Sequence, residues 1–457
     1  MRSRLQLAAI LLGTFLLFLP ETHYSLVYDD YGLVLSQQQF QAWGYFPGYF
    51  IAHPSASAPS PAFLYYRPII PVWLRLEYAI LGPPSAIWHL SSILAHLMTT
   101  ACVFLLIGCL INNLKATVLA ATLFAIHPIH TEAVAWVSAV SDLLLTTFLT
   151  LSVFFYAKRR GVISFPSVLF ATLAMFTKEV GIVAPALILV YEWTRTGFKP
   201  ALVNVLPYLP SALLYFVLHT INLGNSVIGG TPGVSVSATV LTWPRLLVVY
   251  ARHLIWPVHL SLSYDVPIET SLWPLLLLVA VILGVAWIIR NSSAKVRFAS
   301  AWFAITLLPA LSIRYLTWDD YTHDRFLYLP SVGLALIVAQ CLLRVRFTLP
   351  RSVAMCALAV AFCWCTRSNL RIWQDDISLF SRAVETAPRN VMAKYNLAEA
   401  YQVANRMQES YPLLKQLLDQ YPDFPLANRD MARYYWHIGN LEEANRYYLN
   451  YLNSTRD

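Results

Sequence analysis

Long apolar runs recur along most of the chain, and they constrain its fold more than any other feature. Charged residues make up only 12% of the sequence, against about a quarter in an average soluble domain. Lipid offers the backbone no hydrogen bonds, so runs of this kind must be helical. They predict an all-α polytopic membrane protein with about eleven spans, in which polar or aromatic flanks complete the shorter runs. The runs lie near residues 5–20, 88–111, 116–126, 134–156, 164–177, 180–193, 203–220, 272–289, 298–313, 326–343 and 352–366.

Basic residues at alternate connections predict how the chain is oriented. Their recurrence follows the positive-inside rule and places the N-terminus in the cytoplasm, with the other connections outside. The net charge of +8 is explained in this way, and we expect no nucleic-acid partner. These basic residues are Arg2, Arg4, Lys158, Arg159, Arg160, Arg195, Lys199, Arg290, Lys295, Arg297, Arg344, Arg346 and Arg351.

A period of 34 residues replaces the apolar runs from about residue 370. It pairs Leu397 with Met431 and Tyr401 with Tyr435, and Pro388 stands one step before Pro422. A helix-turn-helix unit of this length with small and aromatic positions indicates tetratricopeptide repeats. Two repeats and a preceding half would be marginal alone, because stacked repeats share their core, so we expect them to rest on the membrane part. An unrelated helical hairpin is the alternative.

These patterns divide the chain into two predicted domains. Residues 1–369 form a transmembrane domain whose first outer loop is 21–87, and residues 370–457 form a repeat domain on the extracytoplasmic side. Residues 221–245 are rich in Gly, Ser, Thr and Pro, which predicts an outer loop. The apolar segment 246–265 that follows either lies in the interface or re-enters the membrane.

Ionisable residues gather at the outward ends of the predicted spans. Charges at membrane depth are costly and so tend to be functional, and their clustering on one face predicts a single wet cavity. Loops at a membrane surface are also charged for other reasons, and part of the set would then be solvated or paired. The set comprises Asp29 and Asp30 in "YDDY", Arg67 in "YYRP", His127, His130, Glu132 and Asp142 in "HPIHTEAVAWVSAVSDLL", Lys178 and Glu179 in "TKEVG", and Asp319, Asp320, His323, Asp324 and Arg325 in "TWDDYTHDRFLYLPS".

Carboxylates, cations and histidines together suit one class of reaction. A carboxylate can take the proton of an attacking hydroxyl, while cations hold a phosphate leaving group and stabilise the charge that grows on it. Glycosyl transfer from a lipid-phosphate sugar needs this set, and its lipid tail needs a membrane groove. The chain contains no phosphate-binding glycine motif of the kinds G-x-x-x-x-G-K-[ST] or G-x-G-x-x-G, which disfavours nucleotide-sugar chemistry.

Six sequence blocks, in one order, resemble the transmembrane and tetratricopeptide-repeat O-mannosyltransferase family of the C-type glycosyltransferase superfamily. The blocks are "YDD", "YYRPI", "HPIHTEAVAWVSAVSDLL", "KEVGIVAPALILVYEW", "DRFLYLPSVG" and "RIWQDDISLFSRAVETAPRNVMAKYNLAEAY". The resemblance implies an inverting transferase that moves mannose or a related hexose from a polyprenyl phosphate to Ser or Thr of an exported protein. The chain departs from the animal members in having fewer repeats and in "AVSDLL" within the histidine block. The short array suggests a prokaryotic member, expected in a bacterial inner membrane with its site facing the periplasm.

The resemblance also implies roles for single residues. It makes Asp29 the catalytic base, with Asp30 orienting the acceptor or supporting the site, and the reverse assignment stays open. Arg67, Lys178 and Arg325 would hold the donor phosphate, although each could instead be a cation at the membrane interface. His127 and His130 would contact the phosphate or the sugar, or else hydrogen-bond a helix end.

Two further groups of residues remain candidates. Asp319, Asp320 and Asp324 form a possible secondary acidic site, either as the base or around a divalent cation. We expect no metal cofactor, because cationic side chains can hold a monophosphate. Tyr401, Tyr434 and Tyr435 would line a groove for the acceptor polypeptide, unless they fill the repeat core.

Competing functions come from other classes. The chain could be an inactive membrane scaffold that organises an assembly or export complex through its repeats, or a transporter of lipid-linked sugars. A polar cluster at one face disfavours transport, for which a site near the midplane is typical. A glycan or lipid could also replace the protein acceptor. Stacked repeats favour protein, because they make extended binding surfaces.

Overall fold

The computed structural model describes residues 2–32, 42–51, 65–82, 84–158, 164–223, 234–315, 321–344 and 351–455. These residues form α-helices and short 3-10 turns, with no strand among them. The helices of the first part are α1 Arg2–Phe18, α2 Ile69–Leu81, α3 Ser85–Ile111, α4 Leu114–Ile126, α5 Thr131–Ala135, α6 Val140–Lys158, α7 Phe165–Thr177, α8 Ala184–Thr196, α9 Phe198–Val205, α10 Leu209–Leu223, α11 Val236–Ile255, α12 Pro274–Asn291, α13 Ala294–Leu307, α14 Ser331–Arg344 and α15 Arg351–Leu370. The helices of the second part are α16 Asp376–Thr386, α17 Val391–Val403, α18 Met407–Gln420, α19 Pro425–His437 and α20 Leu441–Ser454.

The predicted all-α membrane protein is confirmed, and each of the eleven apolar runs contains a helix. Within the described residues, six helical stretches are long and apolar enough to cross a membrane. A seventh results if α4 and the helical turn from Pro128 to Ala135, which meet at a 49° bend, form one span. Three shorter apolar stretches of 10–17 residues are Phe165–Thr177 in α7, Pro274–Trp287 in α12 and Ser331–Cys341 in α14. A helix of that length is shorter than the ~20 residues a bilayer requires, so fewer helices than eleven can span unaided.

Helix α6 lies at the centre of the bundle. The apolar window of its span is 78% buried, whereas the windows around α1, α10 and α15 are each 17% buried. It packs against α3 and α7, and the Thr147 and Thr99 hydroxyls hydrogen-bond at 2.7 Å between α6 and α3. Interhelical hydrogen bonds of this kind fix helix pairs where lipid supplies no hydrophobic driving force. Residues at the N-terminal end of α6 are therefore held on the candidate span whose apolar window is the most buried of the six.

Gly181 allows a close approach next to two of the predicted site residues. A Cβ atom at this position would lie 2.3 Å from the Ala174 carbonyl oxygen at the end of α7. Only a residue without a side chain fits there. The turn that carries Lys178 and Glu179 is therefore packed directly on the α7 backbone.

The second part repeats at the predicted interval. Helices α17 and α19 begin 34 residues apart, at Val391 and Pro425, and α18 and α20 do so at Met407 and Leu441. Side chains of α16 and α17, including Phe380, belong to the same buried cluster as the membrane helices. The first of these helices therefore rests on the membrane part, while the tetratricopeptide assignment and the domain boundary stay predictions.

The apolar segment 246–265, predicted either to lie in the interface or to re-enter the membrane, forms the second half of α11 and an irregular stretch after it. Helix α11 is not among the stretches that could span a membrane on length and composition. The stretch after it is fastened to the end of α15, because the Asn369 side-chain amide donates to the Pro257 carbonyl at 2.9 Å and accepts from the Leu260 amide at 3.2 Å. This segment thus lies against the junction between the two parts.

Candidate active site

The two adjacent carboxylates after α1 have opposite environments. Asp30 is fully buried, while Asp29 is exposed. One oxygen of Asp30 accepts from the Ser138 amide at 2.8 Å and the Ser138 hydroxyl at 2.5 Å. Its other oxygen accepts from the Val27 amide at 3.3 Å, and the Asp30 amide donates back to the Val27 carbonyl at 3.1 Å. Asp30 therefore closes a tight turn and ties it to the α5–α6 connection, and Asp29 is the carboxylate that faces outward.

Burial raises the pKa of the Asp30 carboxyl from its ordinary value of 3.8 to about 7. The hydrogen bonds from Ser138 and Val27 favour the charged form, but they do not offset the lost hydration, and the neighbouring Asp29 charge adds repulsion. Two carboxylates this close resist joint ionisation. Near neutral pH, Asp30 therefore changes its charge while it still holds the turn.

Trp136 connects the turn of Tyr28, Asp29 and Asp30, here called the acidic turn, to the block that contains Arg325. Its indole ring lies 5.6 Å from the Tyr28 ring, between ring centres, and the Arg325 guanidinium lies 4.7 Å from its centre. On another side the ring stacks against Trp373 at 6.3 Å. A guanidinium over an indole face is a favourable cation–π contact. The aromatic ring thus places a candidate phosphate ligand close to the turn that carries Asp29.

Arg325 is held by a carboxylate from the histidine block. Its guanidinium pairs with Glu132, and its backbone amide donates to the same carboxylate at 3.0 Å. Glu132 is buried, and its carboxylate also lies 3.4 Å from the His323 ring nitrogen. The Glu132 carboxylate therefore fixes both the side chain and the backbone of Arg325.

Lys178 forms a buried ion pair at the N-terminal end of α6. Its ammonium donates to both Asp142 oxygens, at 2.7 and 2.8 Å, and both side chains are 8% exposed. The ammonium and the Arg325 guanidinium flank the same Phe326 ring, at 5.8 and 5.1 Å from its centre. The structure thus brings two of the three predicted cations together.

Arg67 completes the set and has a carboxylate partner of its own. It pairs with Glu179 through two nearly parallel hydrogen bonds of 2.8 and 2.6 Å. Burial alone would raise the pKa of Glu179, but the charge and hydrogen bonds of Arg67, together with the Lys178 charge, lower that pKa to about 2. All three predicted cations therefore lie beside carboxylates, which orient them and neutralise their charge locally. Such pairing is also what the alternative in the sequence analysis expects, in which part of the ionisable set is paired.

The two histidines are buried within the protein. The His127 ring accepts from the Ile129 amide at 3.2 Å, which caps the short turn from Pro128 to His130. The His130 ring lies 2.9 Å from the Ser331 hydroxyl and 4.5 Å from the Tyr328 ring, and no part of it is exposed. These contacts favour the structural alternative, in which both rings hold helix ends.

The possible secondary acidic site is described only at Asp324, because Asp319 and Asp320 lie outside the described residues. Asp324 is buried and accepts from the Tyr264 hydroxyl at 2.7 Å, and its other oxygen lies 2.9 Å from the His253 ring nitrogen. Burial raises the pKa of the Asp324 carboxyl, although the hydrogen bond and charge of His253 act in the opposite direction. The ranges described in the structure contain no group of three or more His, Cys, Asp or Glu side chains that could hold a metal ion.

The three candidate tyrosines of the repeats differ in exposure. Tyr434 is buried against the Tyr411 ring, at 4.8 Å between centres, so it fills the repeat core. Tyr435 is half-buried and stacks on Tyr447, and the half-buried Tyr401 ring carries the Arg406 guanidinium at 4.8 Å. Of the three, Tyr401 and Tyr435 keep accessible surface.

Sequence reasoning missed Ser138, Trp136 and Asp376. Ser138 and Trp136 lie inside the histidine block, in which only the ionisable residues were considered as candidates. Asp376 belongs to no recognisable catalytic motif. Its carboxylate accepts a hydrogen bond from the Tyr28 amide at 2.8 Å, across 348 residues of sequence. No local pattern reports a contact of that separation.

Two solved structures match this chain in fold at low sequence identity. ArnT from Cupriavidus metallidurans, bound to undecaprenyl phosphate, matches with a TM-score of 0.45 and 15% identity over 98% of this chain and 75% of its own. The Archaeoglobus fulgidus oligosaccharyltransferase tethered to an acceptor peptide matches with a TM-score of 0.42 and 13% identity, over 89% of this chain and 58% of its own.

Curated relatives match at modest identity, and no family model matches the chain. Protein O-mannosyl-transferase F38B6.6 of Caenorhabditis elegans is 24% identical over 356 residues, which are 73% of this chain and 50% of that protein. Human protein O-mannosyl-transferases TMTC3 and TMTC1 are each 24% identical, over 84% and 87% of this chain and 48% and 53% of their own lengths. The chain spans about half the length of the curated relatives it matches. The curated relatives named here are all protein O-mannosyl-transferases, in agreement with the family that the sequence blocks resemble.

Proposed function

We propose that this protein transfers mannose or a related hexose from a polyprenyl-phosphate donor to Ser or Thr hydroxyls of an exported protein, with inversion at the anomeric carbon. The observation that carries the proposal is the division between the two carboxylates of the acidic turn. Asp30 is buried and bound by three donors, while Asp29 is exposed beside it. The names of the curated relatives support mannose and a protein acceptor.

Asp29 is the general base in this proposal. The acceptor oxygen attacks the anomeric carbon as its proton passes to the Asp29 carboxylate, and the phosphate leaves with the electron pair of the broken carbon–oxygen bond. A single attack from the face opposite the leaving group inverts the anomeric carbon. An exposed carboxylate can reach an acceptor, and one locked by Ser138 and Val27 can support the turn beneath it.

Arg325, Lys178 and Arg67 hold the phosphate of the donor. Arg325 and Lys178 flank one phenylalanine ring, and Arg325 also lies over Trp136 beside the acidic turn. Carboxylate partners keep these side chains in place before the donor binds, so little reorganisation is needed as charge develops on the leaving group. Arginine is suited to this role because its planar fork matches phosphate oxygens.

The proposal needs no metal ion, since the cations can neutralise a monophosphate. The donor tail lies in the bilayer beside the bundle, and the acceptor is held near the repeats with the accessible Tyr401 and Tyr435 surfaces. We propose a bacterial inner membrane, with the acidic turn facing the periplasm because the basic connections would face the cytoplasm.

The test compares exported proteins from cells that carry the gene with those from a deletion strain. Intact mass spectrometry should show hexose-sized increments that disappear on deletion and return when the wild-type gene is restored. Fragmentation should locate the sugar on Ser or Thr. Unchanged masses in the deletion strain would refute transfer to protein, and a changed lipid-linked glycan in the same strain would favour the glycan acceptor.

A further inference from the structure

The acidic turn is held from the repeat side as well as from the membrane side. The Tyr28 amide donates at 2.8 Å to the Asp376 carboxylate, at the first residue of α16. The Ser25 amide donates at 3.1 Å to the Gln374 carbonyl, just before that helix. Helix α16 is the first helix of the second part of the chain, so its N-terminal end touches the residue next to Asp29.

The backbone at Tyr28 is in a conformation that needs such support. Its φ of +55° lies in the left-handed region, which is unfavourable for a non-glycine residue and persists where the surroundings fix it. Its ring is enclosed by Trp136 and by Phe380 of α16, each 5.6 Å away between ring centres. The hydrogen bond from the Tyr28 amide and the ring contact with Phe380 both depend on α16.

The other end of α16 reaches the phosphate side of the proposed site. The Thr386 hydroxyl, at the end of α16, contacts the Ser261 hydroxyl at 2.7 Å and donates to the Ser263 carbonyl at 2.9 Å. The Ser261 amide donates to the Tyr264 hydroxyl, which in turn donates to Asp324, both at 2.7 Å. Asp324 precedes Arg325 in the chain, so α16 is linked at one end to the base and at the other to a phosphate ligand.

We propose that Asp376 is a positioning residue, which holds the turn of Tyr28, Asp29 and Asp30 so that Asp29 faces the acceptor. The inference rests on the proposed function, because it assigns Asp29 the role of base. Asp376 does not touch substrate in this proposal and acts through the Tyr28 amide. Helix α16 thereby connects the helices proposed to bind the acceptor to the group that activates its hydroxyl.

Three variants separate this role from a merely structural one. Asp376→Ala removes the acceptor of the Tyr28 hydrogen bond, whereas Asp376→Asn keeps an oxygen in the same place. Asp375→Ala is the matched control, because Asp375 caps the same helix by accepting from the Ser378 amide at 2.7 Å and does not bind the turn. Loss of such a cap weakens a helix, so the control reports what general weakening of α16 does.

Hydrogen–deuterium exchange of the full-length protein in lipid nanodiscs gives a readout that does not depend on activity. The peptide spanning residues 24–32 should exchange faster in Asp376→Ala, and nearly as in the wild type in Asp376→Asn and in Asp375→Ala. A hydrogen bond to a charged group contributes about 1.5–3 kcal/mol, which corresponds to roughly a ten- to hundredfold change in local opening. Equal exchange in all four proteins would overturn the proposal.

Transfer kinetics complete the test. Asp376→Ala should lower kcat about tenfold or more with little change in the KM for the donor, and Asp376→Asn should restore most of it. Faster exchange together with unchanged kcat would overturn the positioning role. If the wild type itself transfers no sugar, the proposed function fails, and the exchange data still decide whether Asp376 holds the turn.

Discussion

Replacing Asp30 by asparagine should remove a pH dependence from the stability of the folded protein. Burial raises the pKa of Asp30 from 3.8 to about 7, so the folded state prefers the protonated carboxyl. Its stabilising contribution is complete below the ordinary pKa and is lost as the pH rises through 7. From the two pKa values, the wild type should lose roughly 2–3 kcal/mol relative to the asparagine variant between about pH 5 and pH 8.

Thermal unfolding of both proteins in nanodiscs, at several pH values across this interval, measures the effect. The asparagine amide would face the Val27 amide, whose hydrogen bond it cannot accept, and this cost is constant with pH. The readout is therefore the change in the difference between the two unfolding temperatures. Asp29→Asn is the control, because Asp29 is exposed, and it should leave most of the dependence in place. Parallel curves for the wild type and Asp30→Asn would refute the reasoning from burial.

Three further outcomes follow from the same contacts. Ser138→Ala should lower kcat, because it removes the hydroxyl hydrogen bond to Asp30 and leaves only the bond from the Ser138 amide. A hydrogen bond to a charged group is worth about 1.5–3 kcal/mol. Kinetics at saturating donor measure kcat, and an unchanged value would contradict this expectation. Lys178→Met should destabilise the protein by about 3–5 kcal/mol, because it leaves Asp142 buried without its cation, and Lys178→Met with Asp142→Leu should regain most of this loss. Denaturation of the two variants compares them, and equal losses would count against a buried pair. A chelator should leave the transfer rate of the purified protein unchanged, whereas a rate restored only by added divalent cations would show a metal requirement.

The sequence predicted the elements of this protein better than their spatial relations. Apolar runs report helices because lipid forces the backbone to satisfy its own hydrogen bonds, and a fixed 34-residue spacing reports a repeated helix pair. Span lengths were harder, because α7 and α14 have only 13 and 14 residues, fewer than the ~20 that a bilayer requires. The run around α4 is broken by a bend near His127.

Within the candidate site, residue types were predictable and their partners were not. Arg67, Lys178 and Arg325 are notable in sequence because cations are rare in so apolar a chain. Nothing in their local sequence shows that each has a carboxylate partner from another part of the fold, and even Glu179, which follows Lys178 in the chain, pairs with Arg67 instead. The same holds for the acidic pair, because burial of Asp30 depends on Ser138, more than a hundred residues away. Pairings of that kind are set by tertiary packing.

The most direct test of the account is sugar transfer by purified wild type, Asp29→Asn and Asp30→Asn proteins, given a polyprenyl-phosphate sugar and a Ser/Thr-containing acceptor. Asp320→Asn belongs in the same series. The account predicts that Asp29→Asn abolishes transfer while the protein still binds the donor and unfolds at nearly the wild-type temperature, and that Asp30→Asn retains part of the activity. Near wild-type transfer by Asp29→Asn, with activity lost only in Asp30→Asn or Asp320→Asn, would contradict the assignment of the base.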